Sequence, residues 1–219
     1  MNTLTSITAL LNRLFTESEA TSPVNSAAFR DLPEGELNRL MHSKTEYQQL
    51  YSHLKDFALP VSRETGALLY MLARSSKARS IVEFGTSFGI STLHLAAALR
   101  DNGGGHLIGS EFEADKAQRA RQNLAAGGLQ DLVEIREGDA LQTLAVDLPD
   151  GIDLVLLDGA KSLYMEVLAL VQKHLCPGAL IIADNADYSP EYLALVRAPG
   201  SGFLSIPFAE DVELSMWLG

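Results

Sequence analysis

The chain has 219 residues, 47% of them apolar and 21% charged, and a formal net charge of −11. That length fits one domain with a substantial core, and the acidic balance disfavours non-specific contact with nucleic acid or an anionic membrane. No apolar run reaches the roughly 18 to 20 residues of a membrane span, Met1 to Ser18 is too polar for a signal-peptide core, and the lone Cys176 excludes an internal disulfide or cysteine zinc cluster, so cytoplasmic residence and small-molecule partners are expected.

The first segment is helical by period, with Leu4, Ile7, Leu11, Leu14 and Phe15 on one face. Thr21 to Asn25 reads as a loop, and Pro33-Glu34 as a helix start with proline in the first turn. Tyr47, Leu50, Tyr51 and Leu54 recur at helical spacing, and core packing is the favoured reading of the two tyrosines. Residues 1–60 therefore form a helical appendage, not a separate domain, to a domain at 61–219. Pro60 breaks the pattern, and Ser62 caps a helix through Ala67, Leu68, Met71 and Leu72.

From Ser80 onward strand and helix alternate. The strands are Ser80–Phe84, His106–Glu111, Val133–Glu137, Ile152–Leu157 and Ala179–Ala183. Helices follow at about Ile90–Arg100, Ala114–Ala126, Tyr164–His174 and Pro190–Arg197, with a short one after Asp139. Pro177-Gly178 reads as the turn into the fifth strand, and Cys176 beside it as a buried, inert thiol. Repeated βα units imply a Rossmann-like α/β fold, its mainly parallel sheet covered on both faces. Two closing strands, near Phe203–Ile206 and Glu213–Leu218, have no helix between them and should pair as an antiparallel hairpin.

In such sheets ligands bind beyond the carboxyl ends of the strands. The first strand ends in Glu83-Phe84-Gly85-Thr86-Ser87-Phe88-Gly89. The spacing is Gly-x-x-x-Gly, with Ser87 where a dinucleotide fingerprint has its middle glycine. A carboxylate at Glu83 would repel a pyrophosphate. A cationic, phosphate-free adenosine compound suits these residues better, which puts S-adenosylmethionine ahead of NAD. Glu111 stands where Rossmann-type folds place an acid on the ribose hydroxyls. Asp139 is able to accept the adenine amino group, with Ala140 offering its backbone amide, and equally able to cap a helix. The fourth strand ends in Asp158, with Lys161 three residues on, and the fifth in Asp184-Asn185. Two carboxylates and an amide form an all-oxygen set of the kind that Mg²⁺ takes. Spacing alone leaves that reading level with ordinary turn residues.

The chain resembles the cation-dependent class I S-adenosylmethionine-dependent O-methyltransferases of the catechol and caffeoyl-CoA type. The resemblance runs from about Ser62 to the C-terminus and rests on Glu83 to Gly89, on Glu111 and on Gly138-Asp139-Ala140. It rests above all on Asp158-Gly159-Ala160-Lys161-Ser162-Leu163-Tyr164 followed by Asp184-Asn185. It implies a seven-stranded sheet, and frequently a homodimer. It implies Mg²⁺, or another divalent ion such as Mn²⁺ or Ca²⁺, on Asp158, Asp184 and Asn185, and Lys161 as the base that deprotonates the acceptor hydroxyl. The methionine portion of the cofactor would lie against Glu83, Gly85, Thr86, Ser87, Gly89 and Ser91, with Asp158 at its edge. Glu111 would take the ribose, and Asp139 and Ala140 the adenine. A hydroxylated aromatic with vicinal oxygens is the expected acceptor. Ala186 to Pro190 departs from the tryptophan- and glycine-containing sequence of plant members, which leaves the acceptor's identity open. A metal-independent methyltransferase of the same fold and a non-catalytic cofactor-binding protein stay as alternatives.

Overall fold

A computed structural model describes residues 2–21, 35–208 and 211–219. Seven strands form one sheet: β1 Ser80–Phe84, β2 His106–Glu111, β3 Val133–Glu137, β4 Ile152–Leu157, β5 Leu175–Ala183, β6 Phe203–Phe208 and β7 Val212–Trp217. Their order is β3-β2-β1-β4-β5-β7-β6. The first five run parallel, and β7 inserts antiparallel between β5 and β6.

Side-chain alternation along the central strands makes two cores. Ile81, Leu154, Leu156, Leu180 and Ile182 point into one. Val82, Phe84, Val155, Leu157, Ile181 and Ala183 point into the other. The first core is covered by α1 Thr3–Ser6, α2 Thr8–Ala20, α5 Arg63–Ser75, α6 Ile90–Asp101 and α7 Ala114–Ala126. The second is covered by α8 Ala140–Thr143, α9 Tyr164–Gln172 and α10 Pro190–Val196. Helix α6 is buried continuously from Ile90 to Leu99 because it lies between the sheet and the N-terminal helices.

The helical period read at the N-terminus has a packing cause. Ile7, Leu11, Leu14 and Phe15 join the same core as Leu69 and Leu93. Asp101, closing α6, holds α1 by accepting from the Thr3 backbone N–H at 3.0 Å, and it also accepts from Tyr70 Oη at 2.7 Å. Ser62 caps α5 as expected, its Oγ accepting from Thr65 N at 3.0 Å. Two further helices, α3 Glu36–Met41 and α4 Tyr47–His53, share a small cluster of Leu40, Leu50 and Leu54. The helix start at Pro33-Glu34 and the loop beyond Thr21 lie outside the described residues.

One boundary differs from the sequence reading. Helix α9 stops at Gln172, and β5 begins at Leu175, so Pro177-Gly178 lies within the strand instead of before it. The register jumps there: Ile152 pairs with Leu175, but Leu154 pairs with Leu180. Proline cannot donate to the ladder and Gly178 has φ +89°, so the chain bulges and resumes pairing afterwards. Cys176 sits in this bulge half-buried, not buried, with its thiol 3.5 Å from Asp153 Oδ1.

Candidate active site

Backbone hydrogen bonds carry the parallel ladder one step past the strands and fix the residues that follow. Asp158 N donates to Phe84 O at 2.8 Å, and Asp184 N to Leu157 O at 2.9 Å. Gly85 N and Thr86 N both donate to Ser110 O, and Gly138 N to Glu111 O at 2.9 Å. Adjacent strands thus deliver Gly85, Glu111, Asp139, Asp158 and Asp184 to one edge of the sheet. The strand order reverses there, between β1 and β4, which is where α/β sheets bind ligands.

The turn after β1 is built around Glu83. Its side chain is fully buried, and it accepts from Thr86 Oγ1 at 3.0 Å, Ser91 Oγ at 2.6 Å and Thr92 Oγ1 at 2.6 Å. Burial pushes its pKa up to about 7, against the pull of those three hydroxyls. Glu83, expected among the cofactor contacts, braces the turn from beneath through the three hydroxyls it holds. Gly85 has φ +98°, and a Cβ there would stand 2.6 Å from Asp158 O and Gly159 N. Only glycine lets β1 and β4 end side by side. Ser87 adopts φ +49°, the left-handed conformation a middle glycine would favour. Its Oγ is buried with no hydrogen-bond partner.

A cavity opens beside this turn, about 630 Å³ including its mouth. Gly85, Ser87, Glu111, Asp139, Ala140 and Asp158 line it. A narrower recess continues along the turn past Gly85, Thr86, Ser87 and Ser91, with Leu59 and Pro60 opposite. Gly89 lies just behind, starting α6 at φ +81°. Glu111 accepts from Ser87 N at 2.7 Å and Glu113 N at 2.9 Å, and burial raises its pKa. Asp139 caps α8 through Leu141 N at 2.9 Å, the second of the two uses read for it, and it also stands in the cavity wall.

Three of the cavity residues that the sequence reading missed bear directly on the site. Tyr47 and Tyr51, expected as core, line the cavity from α4. Tyr47 Oη donates to Asp139 Oδ2 at 3.0 Å, and Tyr51 Oη to Gly159 O at 3.1 Å. Helix α4 therefore covers the cavity. It is held there by Ser52 Oγ on Glu113 at 2.8 Å and by Lys44 Nζ on Glu166 and Glu191 at 2.8 and 3.0 Å. The tyrosines share a helix face with core residues, so periodicity cannot separate the two uses. The third is Lys116, 3% exposed, whose pKa burial lowers against the attraction of Glu111, Glu113 and Asp158. A lysine in a helix's first turn opposes the macrodipole, and that was the available signal.

Asp158 lines the cavity and meets Lys161 and Asp184. Lys161 Nζ donates to Asp158 Oδ1 at 2.7 Å, with both side chains at most 10% exposed. The Asp158 and Asp184 carboxyls lie near enough for each to be felt at the other. Burial and then the charge of Asp158 push Asp184 up to about 7. Burial works against the Lys161 ammonium, but the neighbouring Asp158 carboxylate holds its pKa well above the ordinary value. Tyr164 Oη lies 2.8 Å from Leu157 O and 2.6 Å from Asp184 O, which ties the ends of β4 and β5 together. Asn185 follows in the left-handed region at φ 48°.

Two groups fit these residues. Among the described residues no three His, Cys, Asp or Glu side chains form a metal-binding cluster, and the carboxylates brought together here are those of Asp158 and Asp184. Carboxyls close enough to share a proton repel when both ionise, and a divalent cation relieves that repulsion. The orphaned Ser87 hydroxyl beside the Glu111 carboxylate suits a polar, cationic ligand in the cavity.

This strand order and strand-end site define a Rossmann-like fold of the methyltransferase kind. The profile of a family described as "Methyltransferase domain" matches residues 82–186. A catechol O-methyltransferase of Niastella koreensis is 36% identical over 131 residues, covering 58% of this chain and 58% of that protein. Catechol O-methyltransferase B of Danio rerio is 32% identical over 185 residues, covering 75% of this chain and 68% of that protein. The crystal structure of the O-methyltransferase TomG from Streptomyces achromogenes, in complex with SAM, superposes with a TM-score of 0.66 at 26% identity, over 86% of this chain and 92% of that one. The chain belongs to the class I S-adenosylmethionine-dependent O-methyltransferase family of the catechol and caffeoyl-CoA type. The match spans less than two thirds of the Niastella protein's length.

Proposed function

We propose that the protein moves a methyl group from S-adenosylmethionine to one hydroxyl of a small vicinal dihydroxy aromatic, assisted by a divalent cation. The observation that carries this is the buried Asp158–Asp184 pair, with Lys161 2.7 Å from Asp158, beside a cavity lined by Asp158, Glu111 and Asp139.

In this reading Glu111 binds the ribose hydroxyls, and Asp139 with Ala140 binds the adenine under the cover of Tyr47 and Tyr51. The turn Gly85 to Gly89, with Ser91, holds the methionine portion. Glu83 keeps that turn in shape. Asp158, Asp184 and Asn185 hold Mg²⁺ or a similar ion. The ion, when bound, acts as a Lewis acid that acidifies and orients a chelating acceptor. Lys161 takes the acceptor proton at Nζ in the neutral form that the Asp158 carboxylate disfavours, and Asp158 then stabilises the ammonium. The acceptor oxygen attacks the methyl carbon in line as the carbon–sulfur bond breaks, which gives a methyl ether and S-adenosylhomocysteine. Closure by α4 excludes water and fixes donor and acceptor in line, where proximity supplies much of the rate.

The same reading takes residues 1–60 as an appendage to a methyltransferase domain at 61–219. It includes cytoplasmic residence and a homodimer; no helix among the described residues is long and apolar enough to cross a membrane. Exposed Leu204, Ile206 and Phe208 on the edge strand support a self-contact, which sedimentation would test. The activity is tested by methyl transfer from S-adenosylmethionine to a catechol panel with and without a chelator. Transfer that a chelator abolishes and Mg²⁺ restores is expected. Transfer indifferent to the chelator would favour a metal-independent enzyme, and cofactor binding without turnover a sensor.

A further inference from the structure

Asn185 is the weakest member of the proposed ligand set on electrostatic grounds. It carries no charge, and its side chain presents two ends of opposite character, a carbonyl oxygen that binds cations and an NH₂ that repels them. Something must decide which end faces inward. The structure holds that group in one way. Asn185 Nδ2 donates to Asp211 Oδ2 at 3.1 Å. A carboxylate only accepts, so it grips the amide by its NH₂ end and leaves Oδ1 for the cation.

Asp211 stands at the turn of the β6–β7 hairpin, 26 residues away in sequence. The same residue accepts from Ala186 N through its backbone carbonyl at 2.8 Å. Two bonds therefore clamp the loop after β5 to the hairpin, one on either side of the Asn185–Ala186 peptide. They hold Asn185 in the left-handed conformation, φ 48° and ψ 44°, which asparagine tolerates better than most residues. Asp211 also lies near enough to Asp184 for its charge to be felt there.

We infer that Asp211 is a positioning residue of the cation site: by holding the Asn185 amide through its NH₂ it turns the carbonyl oxygen to the ion. This rests on the cation reading above. The hydrogen bond is solvent-exposed and modest in itself. Its value lies in orientation, since groups that orient a ligand typically govern metal affinity by 10- to 100-fold.

The test is Mn²⁺ affinity of the full chain, read from the loss of the free-ion electron paramagnetic resonance signal, with S-adenosylmethionine affinity and melting temperature measured alongside. Asp211→Ala is expected to weaken Mn²⁺ by roughly 10- to 100-fold while cofactor affinity stays within about twofold. Asp211→Asn keeps an oxygen that accepts from Nδ2, so it should recover most of the loss. Unchanged Mn²⁺ affinity in Asp211→Ala, with tight binding by the unsubstituted chain, would overturn the inference and leave the cation reading standing. Equal weakening by both variants, or parallel loss of cofactor binding and stability, would overturn it too. Failure of the unsubstituted chain to bind Mn²⁺ would overturn both.

Discussion

Glu83 offers the sharpest test of how the turn is built. Glu83→Gln keeps the shape of the side chain and removes its titration. Two of the three hydroxyls still have an oxygen to donate to, and Ser91 has only to rotate to accept from the new NH₂. In the folded chain the carboxyl titrates at about 7, against an ordinary 4.5. An acid whose folded pKa is raised contributes stability that is full below the ordinary value and is lost as pH rises through the folded one. At ~1.36 kcal/mol per pH unit, that gap corresponds to about 3 kcal/mol lost between pH 4.5 and pH 8. For a chain of this length the loss equals roughly 6–12 °C in melting temperature. Glu83→Gln should therefore gain on the unsubstituted chain by about that amount between pH 5 and pH 8 in parallel thermal scans. A difference that stays flat over that interval would refute the buried, strained carboxylate.

Lys161→Ala should lower turnover by ~10²–10⁴-fold while calorimetry shows little change in cofactor affinity. It should also melt earlier, because Asp158 loses its buried partner; equal losses of turnover and cofactor affinity would contradict a base. Gly85→Ala places a methyl 2.6 Å from backbone at Asp158 and Gly159 and demands φ +98°. It should abolish measurable cofactor binding by calorimetry, and retained binding would mean the strand ends part easily. Lys44→Ala removes two ion pairs whose side chains are 35–67% exposed. Exposed pairs are worth little, so its melting temperature should fall by no more than about 2 °C. A larger fall would show that Lys44, and not the tyrosines, anchors α4.

The strands were legible because burial on both faces forces apolar runs such as Ile152 to Leu157, each closed by a glycine or an acid. The strand-end residues were legible for a related reason: where the sheet stops, side chains change character abruptly, as at Leu157 to Asp158 and Ala183 to Asp184. What a residue does there was harder to read. Glu83 reads as a strand-end acid, but its partners Ser91 and Thr92 lie eight and nine residues ahead, across the glycine turn, and spacing does not show which way a carboxylate points. Tyr47 and Tyr51 follow the same period whether they meet leucines or a cavity. The Lys161–Asp158 ion pair depends on rotamers, which spacing does not show, and it raises the lysine pKa. The Asn185–Asp211 bond joins residues on different elements, so no local pattern carries it.

In the proposed function Asp158, Asp184 and Asn185 surround one divalent ion beside the cavity that takes the cofactor. A crystal structure with S-adenosylhomocysteine and Mn²⁺, read by anomalous scattering, measures this directly. The account predicts one manganese peak within about 2.3 Å of oxygens from all three residues, with the ribose on Glu111 and the adenine beside Asp139. A peak elsewhere, or an empty Asp158–Asp184 pair at saturating Mn²⁺, would contradict it.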